Sequence, residues 1–471
     1  MEIDMNVFDT IAAVSTPRGK GGIAVIRISG SDAAAIADKV FFPKNRRALS
    51  DTPHAMTVYG DIREFDGDGS IVNIDDGMAV YFRAPRSFTG EDTVEISCHG
   101  GILVTETVLR AVFAAGARPA TAGEFTRRAF VSGRMTLTQA QSLGDLLEAK
   151  THSQLLISRS GVRGVLSGEI DKLYTKIGDV LSSIYAKIDF PDEDLADMSS
   201  EEMLEAFKLI KSEIDRLATT YKTGRAVSEG IRTVICGRTN AGKSSLYNRI
   251  VGREAAIVTD IEGTTRDILE ETAAFGKVTL RLCDTAGLRD TEDAVESIGV
   301  DRAKREIEGA ELILAVLDGS REPDSEDAVL MDMLKKSEAC VIPVLNKQDK
   351  WGENSPMSAM LIANGFLNAL AISAESGEGI DDLRRMVEDR FTDGEIDLRY
   401  DAVVADARQH AALSRASAAL ASTIEEINAG YALDVCCIDA ERAMSELGEI
   451  NGRNVSEDIV SSIFHKFCVG K

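Results

Sequence analysis

The run Gly237-Arg238-Thr239-Asn240-Ala241-Gly242-Lys243-Ser244 constrains this chain more than any other stretch. It matches G-x-x-x-x-G-K-[ST], a loop in which glycines let the backbone turn its N–H groups onto phosphate. The lysine of such a loop reaches the outer phosphates, and the hydroxyl at the Ser244 position can ligate Mg²⁺. A strand must precede the loop and a helix must follow it. Residues 231–236 read as that strand and residues 245–251, opening at Ser245, as that helix. Strand and helix patterns then alternate as far as residue 391, which predicts an open α/β sheet with its ligand at the carboxyl ends of the strands.

Three more signals fall at predicted strand ends. After 278–283 comes Asp284-Thr285-Ala286-Gly287, where Asp284 can hold Mg²⁺ through water and Gly287 can sense a γ-phosphate. After 340–345 comes Asn346-Lys347-Gln348-Asp349. Its last carboxylate can accept from the N1–H and exocyclic amine of guanine, an arrangement adenine does not offer. After 370–372 comes Ser373-Ala374, a second contact for the base edge. Each tetrapeptide alone also fits a solvated loop; their order and spacing together predict GTP. Many such enzymes orient the attacking water with a Gln directly after the D-x-x-G glycine, but Leu288 stands there. Arg289, Asp290, Glu292, Asp293 and Glu296 are the candidates in the following loop, and residue chemistry alone does not choose among them.

Outside this segment the patterning changes twice. Residues 10–118 alternate short apolar runs with Gly, Pro and Asp clusters and include one helical stretch at 101–115, which predicts an α+β domain. Residues 136–190 carry a 3.6-residue apolar period, and Ser199 with Glu202 reads as a capping box opening a further helix to Tyr221. Helical periodicity returns at 402–427 and 440–450, with a short helix near 455–467. The expected fold class is therefore multidomain: an α+β domain at 1–123, an all-α domain split into 124–225 and 395–471, and an α/β P-loop domain inserted at 226–394. Insertion is tolerated where chain ends lie close.

Charge and cysteine usage narrow the function. Lys and Arg number 53 against 77 Asp and Glu, a net charge of −24. That argues against a chain which grips nucleic acid by a general cationic surface, since such binding is driven by Lys and Arg releasing counterions. The 7 cysteines are scattered without a C-x-x-C pair, as in a reducing compartment and unlike a disulfide scaffold or zinc site. No run approaches the ~18 apolar residues of a membrane span, so a cytoplasmic protein that does not engage a membrane is expected.

Along nearly its whole length the chain resembles the MnmE (TrmE) family of tRNA modification GTPases. The resemblance is carried by GRTNAGKSS, REAAIVTDIEGTTRD, DTAGLR with V-E-x-I-G, the N-terminal GGIAVIRISG and SFTGEDTVEISCHGG, and the ending Phe467-Cys468-Val469-Gly470-Lys471. It implies that Asn240, Thr259, Ile261 and Thr264 cage a K⁺ with oxygen donors beside the bridging phosphate oxygen, and that Thr265 joins Ser244 on Mg²⁺. Glu296 would then orient water in place of the missing Gln. Two G domains meeting face to face would complete the K⁺ site, making hydrolysis depend on a homodimer. The N-terminal domain is similar to folate-binding, dimer-forming modules, so Arg27, Glu95, Arg134 and Lys471 would contact a tetrahydrofolate in its 5,10-methylene or 5-formyl form. At the Arg134 position the family usually has Lys. Cys468 either acts in one-carbon transfer or shapes the site, and His99 reads as structural.

The activity so implied is GTP hydrolysis coupled to modification at C5 of the wobble uridine of certain tRNAs, with an FAD-dependent MnmG-type partner in a heterotetramer or larger complex. Two rivals carry similar motifs: a ribosome-assembly or signalling GTPase switch, and a folate-dependent aminomethyltransferase with a regulatory GTPase. Arg118, Arg127, Arg128, Arg134, Arg159 and Arg163 concentrate positive charge between the N-terminal domain and the helices, while acid collects at 191–205. The expectation is that the partner supplies most phosphate contacts to tRNA.

Overall fold

The computed structural model describes residues 9–17, 19–65, 70–189, 198–253, 271–283, 309–352, 354–393 and 396–470. The chain forms two compact units, residues 1–144 with 448–471, and residues 145–447.

The first unit is built on a seven-stranded sheet of order β3-β4-β5-β6-β2-β1-β7. Its strands are β1 (Ile11–Val14), β2 (Ile23–Ser29), β3 (Phe41–Pro43), β4 (Thr57–Phe65), β5 (Ile71–Phe82), β6 (Thr93–His99) and β7 (Arg118–Pro119). Neighbouring strands run antiparallel except β1 and β7. Alternation along a strand sends successive side chains to opposite faces. In β2 and β6 it buries Ile26, Ile28, Val94 and Ile96 in a core shared with helices α1 (Ala33–Val40) and α2 (Ile102–Ala114). The same alternation turns Arg27 and Glu95, cross-strand partners, to the other face. Helices α3 (Glu124–Val131) and α4 (Leu137–Glu148) meet the helix Glu457–Phe464 in a second cluster of Leu137, Ala140, Val460, Phe464 and Phe467. Gly123 stands at φ +66°, and a Cβ there would collide with the carbonyl oxygen of Phe464. Beyond Phe467 the chain makes a bridge from Val469 to Ala122 and accepts at the Gly470 carbonyl from Ser15 Oγ at 3.0 Å.

The second unit holds a six-stranded sheet of order β13-β12-β11-β8-β10-β9. These are β8 (Ile231–Cys236), β9 (Glu271–Phe275), β10 (Val278–Leu282), β11 (Leu312–Asp318), β12 (Cys340–Asn346) and β13 (Leu370–Ala371). All pairs are parallel except β9 with β10. Six of the seven residues of β11 are buried, the continuous apolar pattern of a strand covered on both faces. The helices of this unit include α5 (His152–Val162), α6 (Val165–Asp189), α7 (Ser200–Thr219), α8 (Tyr221–Ser228), α9 (Lys243–Arg253), α10 (Ser325–Lys335), α11 (Ser358–Ala363), α12 (Ile380–Phe391) and α13 (Ala407–Asn428).

The helical residues before and after the sheet pack on one another. Ser417 on α13 donates to Asp215 on α7, and the Tyr221 and His410 rings stack at 4.3 Å. The sheet's entry and exit are adjacent: Asp393 N donates to Thr223 Oγ1 at 2.9 Å, and Val404 N to Thr220 Oγ1 at 3.0 Å. An α/β sheet inserted into a split all-α domain is therefore the observed architecture.

The helical pattern read at 136–190 is realised as three helices, α4, α5 and α6. A Thr151/Gln154 capping box restarts the chain at α5, and Gly164 at φ +82° breaks it again before α6. The box at Ser199 and Glu202 opens α7 as predicted. Among the described residues no helix is long and apolar enough to cross a membrane.

Candidate functional site

In the second unit, β8 delivers the chain into the phosphate loop and α9 leaves it, opening at Lys243. Gly237 (φ +145°), Asn240 (φ +61°) and Gly242 (φ +98°) carry the left-handed turns that wrap the loop. The two glycines are also required by their neighbours. A Cβ on Gly237 would strike the Val316 carbonyl of β11, and one on Gly242 would strike the side-chain amide of Asn346. Lys243 Nζ donates to the carbonyls of Gly237 and Arg238 at 2.8 and 2.7 Å, so its ammonium lies folded across the loop. Burial pulls its pKa below the ordinary lysine value. Ser244 and Ser245 occupy the next two positions of α9, Ser244 half-buried and Ser245 exposed.

The guanine-type motif is fastened to this loop by one side chain. Asn346, buried at the end of β12, donates from Nδ2 to the Ala241 carbonyl at 2.9 Å. Its Oδ1 accepts from Ala374 N at 2.9 Å, so it ties the phosphate loop to the loop after β13. Lys347 is left-handed (φ +66°) and its Nζ donates to Asp318 Oδ2 at 2.6 Å, bracing the ends of β11 and β12. Asp349 lies beside Ser373, whose hydroxyl holds its carboxyl below the usual range. Asn240, Ala241, Gly242, Lys243, Ser244, Asn346, Lys347, Asp349, Ser373 and Ala374 are thus brought together at the carboxyl edge of the sheet. Thr259, Ile261, Thr264, Thr265, Asp284, Thr285, Ala286, Gly287, Glu296 and Lys471 lie outside the described residues.

A second site occupies the first unit. Arg27 and Glu95, apart in sequence but opposite across β2 and β6, form an ion pair at 2.7 Å. The Arg27 guanidinium is flanked by the rings of Phe88 and Phe125, 5.2 and 5.7 Å from their centroids. Glu95 lines a cavity of about 310 Å³ with the rings of Phe82 and Phe88, the buried Ser87 and Thr93, and the exposed Arg86 and Arg134. Its carboxylate, held by one cation on its far side, can still accept from a ligand's N–H groups. Cys468 is exposed and does not line this cavity; the Gly123 N–H approaches its carbonyl at 3.5 Å.

Comparison with known proteins joins the two units. A sequence model described as the GTP-binding protein TrmE N-terminus matches residues 10–134, and one for the MnmE helical domain matches residues 137–468. A tRNA modification GTPase MnmE of Thermoanaerobacter pseudethanolicus is 39% identical over 468 residues, 99% of this chain and 100% of that one. The chain belongs to the MnmE family. A tRNA modification GTPase MnmE of Lactobacillus delbrueckii subsp. bulgaricus is 40% identical over 98% of each chain. Among solved structures, the G domain of the T. maritima FeoB iron transporter aligns over 34% of this chain at 21% identity, but with a TM-score of only 0.26. In enzymatic class the MnmE-family chain is a GTP hydrolase, with the P-loop domain as its GTPase module.

The structure changes the expected basic patch. Arg118 pairs with Asp9 and Glu124, Arg127 with Glu457, and the buried Arg128 with Asp9, Glu91 and Glu124. These three arginines are thus ion-paired within the unit, Arg128 almost wholly buried and Arg118 still partly exposed. The same network acts on Glu124: burial opposes its ionisation, but the Arg118 and Thr121 hydrogen bonds and the nearby guanidinium charges hold it at about 2. Phe82, Arg86 and Phe88 were not picked out from the sequence, although Phe88 falls inside the SFTGED run; nothing in a linear reading says that these side chains line one cavity with Arg134.

Proposed function

We propose that this chain is a K⁺-activated, dimerisation-dependent GTPase that acts with an FAD-dependent MnmG-type partner on the wobble uridine of certain tRNAs. The complex adds an aminomethyl or carboxymethylaminomethyl group at C5, using a tetrahydrofolate one-carbon unit. Supporting it is Asn346, which holds the phosphate loop and the base-recognition loops in one frame, inside a chain alignable end to end with named tRNA modification GTPases.

In this reading residues 226–394 are the GTPase module, 124–225 and 395–471 the helical module, and 1–123 the folate-binding and dimer-forming module, all in the cytoplasm. Lys243 swings from its two carbonyls to the outer phosphates, whose negative charge offsets the cost of burying its ammonium. Asp349 reads guanine, and Ala374 presents the second base-edge contact. Ser244 with Thr265 would hold Mg²⁺, and Asn240 with Thr259, Ile261 and Thr264 would hold K⁺. Bound there, the two cations would supply positive charge where phosphoryl transfer develops negative charge. Glu296 orients water. In the first unit Glu95 accepts from the pterin while Arg27 fixes its carboxylate, and the cavity's aromatic walls suit a flat ring. Tetrahydrofolate, when bound, would supply the one-carbon unit.

The deciding experiment is mass spectrometry of tRNA nucleosides from a strain lacking the protein. Unmodified wobble uridines are expected to accumulate; an unchanged nucleoside profile refutes the assignment. Turnover is expected in KCl and not in NaCl, and Glu296→Ala is expected to abolish it. Equal rates in the two salts would remove the K⁺ role, and a parent-like Glu296→Ala would remove that of Glu296.

A further inference from the structure

The cavity of the first unit has a floor and a mouth of different character. Its floor carries the half-buried Glu95, clamped by Arg27, with the buried hydroxyls of Ser87 and Thr93. Its exposed residues are two arginines, Arg86 and Arg134. In a chain of net charge −24 this is a local reversal of sign. Neither guanidinium has an ion-pair partner among the described residues. The carboxylates nearest in sequence to Arg86 are already engaged: Glu91 accepts from Ser29 Oγ and Arg128 Nη1 at 2.8 and 3.1 Å, and Asp92 from Ala84 N at 2.8 Å.

Arg134 is held in place. Its N–H donates to the Ala129 carbonyl at 2.8 Å, and Ser132 Oγ ties the turn to the Thr89 carbonyl at 2.6 Å. Its stem passes over Gly90 (φ +84°), where a Cβ would come within 3.1 Å of Arg134 Cγ and 2.7 Å of Ser132 Oγ. The volume, about 310 Å³, is at the low end of the ~300–1,000 Å³ that encloses a drug-sized ligand. A ligand whose flat, donor-rich end reaches Glu95 must therefore trail its other end past the arginines. Two uncompensated guanidinium groups at an exit fit a tail that bears carboxylates, which they can bind as planar forks.

We propose that Arg86, together with Arg134, ranks tetrahydrofolates by the number of carboxylates on their tail, favouring the oligo-γ-glutamyl forms over the monoglutamate. This rests on reading the cavity as a tetrahydrofolate site. Arg86 is the specificity residue: it adds nothing to recognition of the ring and acts only on the second and later glutamates. Exposed ion pairs are individually weak and screened by salt, so the preference is modest and ionic-strength dependent.

The test is calorimetric titration of the full-length protein with 5-formyltetrahydrofolate monoglutamate and with its pentaglutamate. At ~50 mM KCl the pentaglutamate is expected to bind about five-fold tighter, on the scale of two exposed pairs, and the gap to shrink towards unity at ~500 mM KCl. Arg86→Ala is expected to narrow the gap while leaving monoglutamate affinity within about two-fold, and Arg86→Lys to restore most of it. Arg86→Glu is expected to widen the loss for the pentaglutamate. Equal affinities for the two ligands in the parent protein, or a gap that Arg86→Ala leaves intact, overturns the inference while the folate reading stands. Failure of both ligands to bind overturns both.

Discussion

The two candidate sites are built on opposite principles. The phosphate loop is a backbone site: three residues at positive φ, Gly237, Asn240 and Gly242, bend a short stretch of chain whose N–H groups do the binding. The N-terminal cavity is a side-chain site whose parts come from β2, β5, β6, the loop between β5 and β6, and the turn after α3. A backbone site must recur as a linear pattern, because only certain residues tolerate its dihedrals. A side-chain site needs only that a few side chains arrive together, and strand register can bring them from anywhere.

If the sites are independent, variants at one should leave the other unmoved. The largest effect is expected for Lys243→Ala, which removes a charge aimed at the outer phosphates and should lower GTP turnover on the order of 10²–10³-fold, with tetrahydrofolate affinity unchanged by titration. A parallel fall in folate affinity would break the contrast. Next is Glu95→Gln, which keeps shape but loses the charge facing the ligand; charge-assisted hydrogen bonds are worth ~1.5–3 kcal/mol, so folate affinity should fall about 10- to 100-fold while GTP turnover stays at the parent value.

A third prediction separates the units by acid. Glu124 has its pKa depressed from 4.5 to about 2. A depressed carboxylate contributes stability that is fully present above the unfolded value and is lost as pH falls through the folded one. The first unit should thus weaken between pH ~4.5 and ~2, by up to about 3 kcal/mol from this group. Circular dichroism melts of the parent and of Glu124→Gln read it: the variant should be less stable near neutrality and flatter over that window. Identical slopes would remove Glu124 as the acid-sensitive group. The smallest effect is expected for Ser15→Ala, which deletes one hydrogen bond to the Gly470 carbonyl, worth ~1 kcal/mol. Limited proteolysis should show the tail cut faster, and equal rates would leave that bond without a role in pinning it.

The contrast also explains what was legible in the sequence. The strands β8 and β12 and their motifs could be read because parallel buried strands are plain apolar runs and the phosphate loop permits few residue types. That Asn346 joins the loops, and that Gly242 must be glycine to clear it, could not be read, since each depends on a partner about a hundred residues away. In the first unit, Arg27 and Glu95 were named by a resemblance, and the register that sets them opposite one another was not legible in the spacing. Half of the arginine-rich stretch, Arg118, Arg127 and Arg128, is ion-paired, and the count of charge could not show it because Asp9 and Glu457 are distant in sequence. Helix breaks at Thr151 and Gly164 were lost inside a continuous apolar period, which reports a buried face but not where the axis turns.

The pinning of residues 448–471 onto the first unit has a consequence during synthesis. Leu137 and Ala140 leave the ribosome roughly 300 residues before Phe464 and Phe467, which cover them. At ~5–20 residues per second that is a wait on the order of 15–60 s. The 145–447 unit, contiguous in sequence, can fold in that interval, while the other unit stays open until the helix Glu457–Phe464 has been made.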